Sequence, residues 1–267
     1  MNALAATDAL RIMQALAGLS LAVQTLEFLR LRTALSERGV WAWSVQQGDL
    51  AHASRATRTV FGFLSDERVH AAHLFLRLAG AAALILWGSA LPVSLVLLLG
   101  TVAILVRWRG AFNGGSDFMT IAVLTGLVIA DAGATFGAAE TGAKAGLLYV
   151  AIQALTSYFV SGAVKLLDAD WRTGRALPIF LDGAVHGPLP PTALLRRPAV
   201  AAFCSWGFIL WECAAPLALV APIAALGYCA VALVFHLLVF RFFGLNRFVF
   251  AWAAAFPAVV YAAGVPF

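Results

Sequence analysis

Four polar side chains recur every four residues along an otherwise apolar stretch: Gln153, Ser157, Ser161 and Lys165. At helical spacing they form one ridge on a single helix face. A lysine amine withdrawn from water is a usable general base. The ridge therefore makes Lys165 a candidate base. Two alternatives stay open, namely that its amine snorkels to a nearby membrane interface, or that it pairs with Asp168 or Glu212.

Glu212 and His236 lie within the next two apolar runs. An ionisable group at membrane depth is costly unless it faces a cavity or a partner, so each is a functional candidate. Glu212 has a structural alternative, a buried ion pair with Lys165 or Arg77. His236 has another, that of a hydrogen-bonded core residue. Pro216 frees the carbonyl group of residue 212 and predicts a kink there.

Asp131 is a fourth buried candidate, whose alternative is a simple hydrogen bond between helices. The three cysteines, Cys204, Cys213 and Cys229, all fall in apolar runs, and there is no CxxC motif or Cys/His cluster. Zinc, thiol redox chemistry and disulfides are therefore not expected, and no metal is predicted.

The composition indicates that this chain lies in a lipid bilayer rather than in water. Of its 267 residues, 62% are hydrophobic and 12% are charged, against roughly 25% charged in soluble domains. This excludes a soluble globular protein, a disordered chain, a disulfide scaffold and a coiled coil. The net charge of +5 is explained by membrane topology, so nucleic acid is not expected as a partner. The prediction is an all-α, polytopic integral membrane helical bundle.

Eight apolar runs have the length that a bilayer core requires. They predict a single transmembrane domain over residues 1–267, with spans at about 10–31, 70–89, 91–106, 118–138, 144–167, 200–221, 223–243 and 247–265. The first run lacks a basic flank and is interpreted as a retained span rather than a signal peptide. Pro92 and Pro222 are expected in the first turns of their helices, and Asp117 is expected to cap the fourth.

The connections also carry predictions. Residues 32–69 mix tryptophans and arginines with alanines, which favours an interfacial amphipathic helix. Residues 168–198 hold five prolines and predict an ordered loop. Fourteen of the 18 lysines and arginines fall in the loops after the first, third, fifth and seventh spans. The positive-inside rule then places those loops in the cytoplasm and both termini outside. Alternatively, some of these arginines bind substrate or lipid headgroups.

A family resemblance is carried by residues 158–171, which read Tyr-Phe-Val-Ser-Gly-Ala-Val-Lys-Leu-Leu-Asp-Ala-Asp-Trp. This stretch resembles the lysine-containing segment of vitamin K-dependent gamma-glutamyl carboxylases and of the wider bacterial group of horizontally transferred transmembrane domain (HTTM) proteins. The segments 171–177, 212–216, 235–236 and 243–248 are similar to later parts of that family. The similarity runs from about residue 110 to the end. It implies an HTTM-type core of about eight helices. Because the chain stops directly after the last predicted span, the carboxylases' C-terminal extramembrane domain is expected to be missing.

The resemblance also implies a chemistry. In the carboxylases the matching lysine deprotonates vitamin K hydroquinone, which then reacts with O2, and the glutamate carbanion formed by the activated cofactor captures CO2. Here it implies a lipid-accessible pocket for a reduced quinone such as vitamin K hydroquinone or a menaquinol-like molecule. Lys165 would be the base, His236 would bind or polarise the quinol oxygen, and Glu212 would tune the lysine. The residues implied in cofactor binding are Ser157, Tyr158, Ser161, Gly162 and Asn246.

Three hypotheses follow for function. The first is a quinol-dependent, carboxylase- or epoxidase-like enzyme of a bacterial inner membrane that modifies a peptide or a lipid-soluble substrate. The second is a non-catalytic accessory protein for maturation or export of a peptide toxin, with a partner membrane protein. The third, a transporter, requires a water-filled path linking Asp131, Glu212 and His236. Orientation stays open, because the carboxylase reaction faces away from the cytosol whereas the arginine count places the Lys165 end on the cytoplasmic side.

Overall fold

The computed structural model describes residues 4–108 and 114–265, and in these ranges the chain is helical with no β-strand. The α-helices are α1 (Ala6–Arg30), α2 (Trp43–Gln46), α3 (Arg55–Ser65), α4 (Glu67–Leu86), α5 (Leu91–Arg107), α6 (Ser116–Thr135), α7 (Ala139–Leu167), α8 (Ala169–Arg172), α9 (Ala176–Asp182), α10 (Pro198–Cys213), α11 (Pro222–Phe243) and α12 (Asn246–Ala262). Short 3-10 helices cover Arg32–Leu35, Gln47–Leu50, Leu194–Arg196 and Ala215–Val220.

A long helix lies at each of the eight predicted apolar segments. Among the described residues, α1, α4, α6, α7 and α11 are long and apolar enough to cross a membrane. Helices α5 and α10 are apolar but shorter. The all-α, polytopic membrane class is therefore supported by several membrane-length helices, while the count of eight crossings stays a prediction.

Proline and the helix ends explain most of these boundaries. Pro92 and Pro222 lie in the first turns of α5 and α11, as expected. Asp117 does not cap α6: it lies inside the helix, and its carboxylate accepts a hydrogen bond from Gln24 instead. Pro216 breaks the helix rather than kinking it, because α10 ends at Cys213 and the chain continues as the 3-10 helix Ala215–Val220.

The chain divides into two compact units. Unit 1 comprises Met1–Leu10 and Leu147–Phe267, and unit 2 comprises Arg11–Gly146. Helices α1 and α7 each contribute to both units. The candidate residues Lys165, Glu212 and His236 belong to unit 1, and Asp131 belongs to unit 2.

In unit 2 the buried side chain of Arg77 is 1% exposed and joins three helices. Its guanidinium donates to the hydroxyl of Thr25 at 2.8 Å, to the amide oxygen of Gln24, and to the hydroxyl of Thr101 at 3.4 Å. Gln24 in turn donates to Asp117 at 3.0 Å. The enclosed guanidinium is tolerable because both of its terminal nitrogens donate within the bundle.

Arg107 is one of the fourteen loop residues counted for the positive-inside rule, but its side chain has a structural role. Its guanidinium is buried and donates to the carbonyl oxygens of Trp41 and Leu35, at 2.9 and 3.1 Å. The side chain of Gln46 bonds both to its guanidinium and to its carbonyl group. Arg107 therefore holds the segment between α1 and α3 against the end of α5.

Only part of the predicted interfacial segment forms an amphipathic helix. Ser54 caps α3 by accepting a hydrogen bond from the Thr57 amide at 3.1 Å. The apolar side chains Val60 and Phe63 of α3 are exposed and lie three residues apart, on one face of this helix. The rest of residues 32–54 consists of short helical turns.

The proline-rich connection in unit 1 is held by hydrogen bonds. Asp182 at the end of α9 accepts two from the Arg196 guanidinium, at 2.6 and 2.8 Å, and one from the Leu189 amide at 3.0 Å. The Val185 amide donates to the carbonyl oxygen of Phe242 at 2.8 Å. The Asp182 contacts hold the loop together, and the Val185 bond fastens it onto the end of α11.

Candidate functional site

The predicted ridge on α7 meets α10 at Glu212. The amine of Lys165 lies 2.6 and 2.8 Å from the two carboxylate oxygens of Glu212. It also donates to the Ser161 hydroxyl at 2.7 Å, and that hydroxyl donates to Glu212 Oε1 at 3.2 Å. We name these three residues the lysine triad. Of the alternatives left open for Lys165 and Glu212, the structure forms the ion pair between them.

Gly162 sets the distance between α7 and α10. A Cβ atom at this position would lie 2.6 Å from the Cys213 amide nitrogen and 2.8 Å from Glu212 Cβ. These separations are shorter than side-chain contacts allow, so only glycine permits the two backbones to approach this closely. Gly162, predicted to bind a cofactor, thus positions Glu212 beside Lys165.

Pro216 contributes by ending α10 one residue after Glu212. The Ala214 amide bonds back to the carbonyl oxygens of Leu210 and Glu212 in a tightened last turn. Glu212 was expected in the middle of a span, but it lies in the last turn of α10. Its side chain is 3% exposed, so the carboxylate is enclosed even at a helix end.

The lysine triad is electrically balanced and mostly enclosed. The Lys165 side chain is 18% exposed, and its ammonium lies 5.3 Å from the centre of the Trp171 ring, over its face. Lys165 also belongs to the last turn of α7, where the helix dipole favours a positive charge. Because the amine and the carboxylate touch, a proton can pass between them without changing the net charge of the pair.

A second polar pair lies two helical turns away on the same face of α7. The Tyr158 hydroxyl and His236 Nε2 are 2.6 Å apart. Tyr158 precedes Lys165 by seven residues, which is about 10 Å along the helix axis. His236 is 1% exposed, and it is a hydrogen-bonded core residue as the simpler alternative held.

Aromatic rings surround this pair. The Tyr158 ring lies 4.4 Å from Trp252, 5.2 Å from Trp211 and 5.6 Å from Tyr228, measured between ring centres. The His236 ring stacks on Trp252 at 5.0 Å, and Trp211 stacks on Tyr228 at 5.3 Å. We call these five residues the aromatic cage. They come from α7, α10, α11 and α12, so the cage is the place where four helices of unit 1 meet.

Four polar atoms of the aromatic cage are buried and have no hydrogen-bond partner among the described residues. They are His236 Nδ1, Trp211 Nε1, Tyr228 Oη and Trp252 Nε1. Leaving one such group unsatisfied costs roughly 1–3 kcal/mol, and native proteins contain few of them. Four of the eleven such atoms among the described residues belong to this one cage.

The remaining predicted site residues have plainer surroundings. The Ser157 hydroxyl donates to the carbonyl oxygen of Gln153, one turn back on its own helix. Asn246 is the first residue of α12, and its amide oxygen accepts from the Arg247 amide at 2.9 Å. The structure brings Ser161, Lys165 and Glu212 together, and Tyr158 with His236.

Sequence reasoning missed Trp211, Tyr228 and Trp252 as site residues. Tyr228 and His236 are eight residues apart, which places them on one face of α11. Trp211 directly precedes Glu212. These spacings were available. Trp252 lies near a predicted span end, where tryptophan is equally well explained by a membrane interface, and only the packing of α12 brings it to Tyr158.

The comparisons with known proteins add no identity to this geometry. No family model, no curated protein and no solved structure matches the chain. Over the described residues, the fold and the site define an all-helical protein with several apolar helices of membrane-spanning length, an enclosed ion pair and an aromatic cage in unit 1.

Proposed function

We propose that this protein is a quinol-dependent membrane enzyme of the HTTM and vitamin K-dependent carboxylase type, acting on a peptide or a lipid-soluble substrate. The observation that carries the proposal is the placement of two enclosed polar pairs, Lys165–Glu212 and Tyr158–His236, on one face of a membrane-length helix. One pair can take up a proton, and the other leaves a buried ring nitrogen for a ligand.

The aromatic cage suits the ring of a reduced quinone. Aromatic side chains favour offset or edge-on contacts with another flat ring. The quinone ring carries oxygens at its edge, which match the unsatisfied donors of Trp211 and Trp252. His236 Nδ1 can serve in either tautomer, because Tyr158 either donates to or accepts from the other ring nitrogen. When bound, the reduced quinone supplies two electrons and two hydroxyl protons, with O2 and CO2 as co-reactants if the reaction is a carboxylation.

The lysine triad accepts the proton that the substrate loses. Glu212 takes one proton from the Lys165 ammonium across the 2.6 Å contact, which leaves a neutral amine beside a neutral acid. That amine then acts as a general base on a quinol hydroxyl that must extend from the aromatic cage toward Lys165, since Tyr158 and Lys165 are about 10 Å apart along α7. Ser161 orients both partners, because its hydroxyl accepts from Lys165 and donates to Glu212. The enclosure keeps bulk water from competing for the amine.

The finer topology belongs to the same proposal. We infer an HTTM-type core with eight crossings in a bacterial inner membrane, with the arginine-rich loops in the cytoplasm and both termini outside. Arg107 and Arg196 are engaged in structural contacts, which reduces the set of freely acting loop charges without reversing its asymmetry.

Quinone binding tests the site directly. We expect protein in lipid nanodiscs to bind a short-chain menaquinone, and His236→Phe, which keeps an aromatic ring but removes the nitrogens, to bind about tenfold more weakly. His52→Ala is the matched control, because His52 is exposed and lies in unit 2. Equal affinity in the His236→Phe variant would remove the aromatic cage from the proposal.

A further inference from the structure

Unit 2 contains a second polar cluster that the proposed function does not use. Gln14 on α1 donates its amide to the Ser89 hydroxyl at 2.9 Å, and that hydroxyl donates to Asp131 Oδ1 at 2.8 Å. Ser89 lies in the connection between α4 and α5, and Asp131 lies near the end of α6. Two hydrogen bonds in series thus end on one oxygen of a single carboxyl group.

The other oxygen of that carboxyl group has no partner. Asp131 is 6% exposed, and its Oδ2 is buried without a hydrogen bond among the described residues. No ion pair to Asp131 is formed in the described part of the chain either. A carboxylate oxygen left bare in the interior is costly, and in membrane segments such groups pair with a cation or a donor.

Helix ends of both signs lie near Asp131: α4 and α6 end here with negative potential, whereas α5 begins at Leu91 and contributes positive potential near Ser89 and Ser94. Helices α4 and α6 finish at Leu86 and Thr135, and a helix C-terminus carries roughly half a negative charge. Arg11 is drawn to the first of these ends, where its guanidinium donates to the carbonyl oxygens of Leu84, at 2.7 Å, and Ile85. Asp131 adds its charge about one turn before the second end, where a carboxylate is unfavourable without a counter-charge.

Ser89, which bonds to Asp131, and Gln14, which bonds to Ser89, both carry side-chain oxygens that can act as ligands. The fully buried Ser94 hydroxyl lies near the same carboxyl group, but it donates to the carbonyl oxygens of Leu91, at 3.2 Å, and Ala90, at 3.5 Å. The side-chain oxygen of Gln14 faces Gly88, where an added Cβ atom would lie 2.9 Å away. Hard oxygen donors suit alkali and alkaline-earth cations. One carboxylate balances a single positive charge, and no group of three His, Cys, Asp or Glu side chains suited to a metal occurs in the described ranges.

We propose that Asp131, Ser89 and Gln14 form a binding site for a small monovalent cation of the sodium class, with Asp131 Oδ2 as its charged ligand. The cation neutralises Asp131 and the end of α6, and it joins α1, the α4–α5 connection and α6. Folding of unit 2 is then linked to the concentration of that cation, since a ligand that binds only the folded state stabilises it. This inference is independent of the quinol site.

The test measures thermal unfolding of the full-length protein in nanodiscs, with sodium chloride replaced stepwise by choline chloride at constant ionic strength. The wild-type melting temperature is expected to rise with sodium by roughly 2–5 °C and to saturate. Asp131→Asn is expected to lose the sodium-dependent rise. Glu140→Gln is the matched control, because Glu140 is an exposed carboxylate of unit 2 paired with Lys144, and it should keep the rise.

Infrared difference spectra between sodium and choline supply a second readout that does not depend on stability. We expect a carboxylate band that shifts with sodium in the wild type and in Glu140→Gln, and is absent in Asp131→Asn. An equal sodium response in Asp131→Asn would overturn the proposal. So would a wild-type protein that ignores sodium but responds to pH through Asp131, because the ligand would then be a proton.

Discussion

Lys165 and Glu212 neutralise each other's charge in an enclosed ion pair. The ammonium contacts both carboxylate oxygens, and Ser161 closes the third side of the triad. Sequence spacing identified these residues as buried and polar but left several pairings open, since spacing along α7 carries no information about which helix packs against it. The partner was decided by the close approach at Gly162, a contact between backbones.

Asp182 provides a residue-scale prediction outside the membrane segments. The hydrogen bond from Arg196, with a smaller one from the Leu189 amide, holds the pKa of Asp182 below its usual value. A depressed carboxyl pKa contributes stability above the unfolded-state value, and this contribution is lost as the pH falls through the lower folded-state value.

Acidification below about pH 4 is therefore expected to loosen residues 183–196. Hydrogen exchange of the Leu189 amide, corrected for intrinsic rates, reports the change. In Asp182→Asn the same amide should exchange quickly at every pH. If the wild-type amide keeps its protection at a pH that protonates free carboxyls, and the variant does too, the contact does not hold the loop.

At the scale of helices, most boundaries were accessible from the sequence. The apolar runs and the prolines Pro92 and Pro222 placed the starts of α5 and α11 within a residue, because proline fits a first helical turn. The break at Pro216 was predicted only as a kink. Whether a helix bends or stops at a proline depends on what packs against it, and the local sequence does not reveal that packing.

The contact between α7 and α10 gives the element-scale prediction. Gly162→Ala places a Cβ atom 2.6 Å from the Cys213 backbone and is expected to destabilise unit 1 by roughly 1–3 kcal/mol. Gly207→Ala on α10 is the matched control. Nothing lies within 4 Å of its added Cβ atom, so it should be neutral or stabilising by up to about 1 kcal/mol.

Thermal unfolding of the two variants in the same detergent checks this comparison. The expected order of melting temperature is Gly207→Ala at or above the wild type and Gly162→Ala below it. Equal melting temperatures for the two variants would show that α7 and α10 are not in close contact, and the geometry of the lysine triad would lose its support.

For the whole molecule, composition predicted the class and left the arrangement undetermined. The excess of apolar residues predicted an all-helical membrane protein, and the described residues contain five membrane-length helices. The aromatic cage was not predictable, because Trp252 reaches Tyr158 only through the packing of α12 against other helices of unit 1. Residue types that favour both interfaces and cores do not reveal which they occupy.

Orientation is the prediction that belongs to this scale. With fourteen of 18 lysines and arginines in one set of loops, a reporter fused after the C-terminus is expected on the non-cytoplasmic side. A paired alkaline phosphatase and fluorescent-protein fusion measures this: phosphatase activity with a dark fluorescent fusion is the expected result. The reverse pattern would show that structural roles such as that of Arg107 outweigh topology in the arginine count.

We propose that the lysine triad is the base of a quinol-consuming reaction. The most direct measurement is the rate of oxidation of a menaquinol by the nanodisc-embedded protein under O2, followed by the absorbance of the quinone formed. Lys165→Ala is expected to lower this rate at least about 100-fold, the contribution of a general base. Lys144→Ala is the matched control, since Lys144 is the other lysine of the chain and is half exposed.

A double variant, Lys165→Met with Glu212→Leu, guards against a trivial loss of folding. Replacing both partners of an enclosed ion pair by apolar groups is often neutral for stability, so this variant is expected to melt like the wild type yet oxidise no quinol. We expect rapid oxidation in the wild type and Lys144→Ala, and none above background in either Lys165 variant. Wild-type rates in Lys165→Ala, or no quinol oxidation by the wild type, would contradict it.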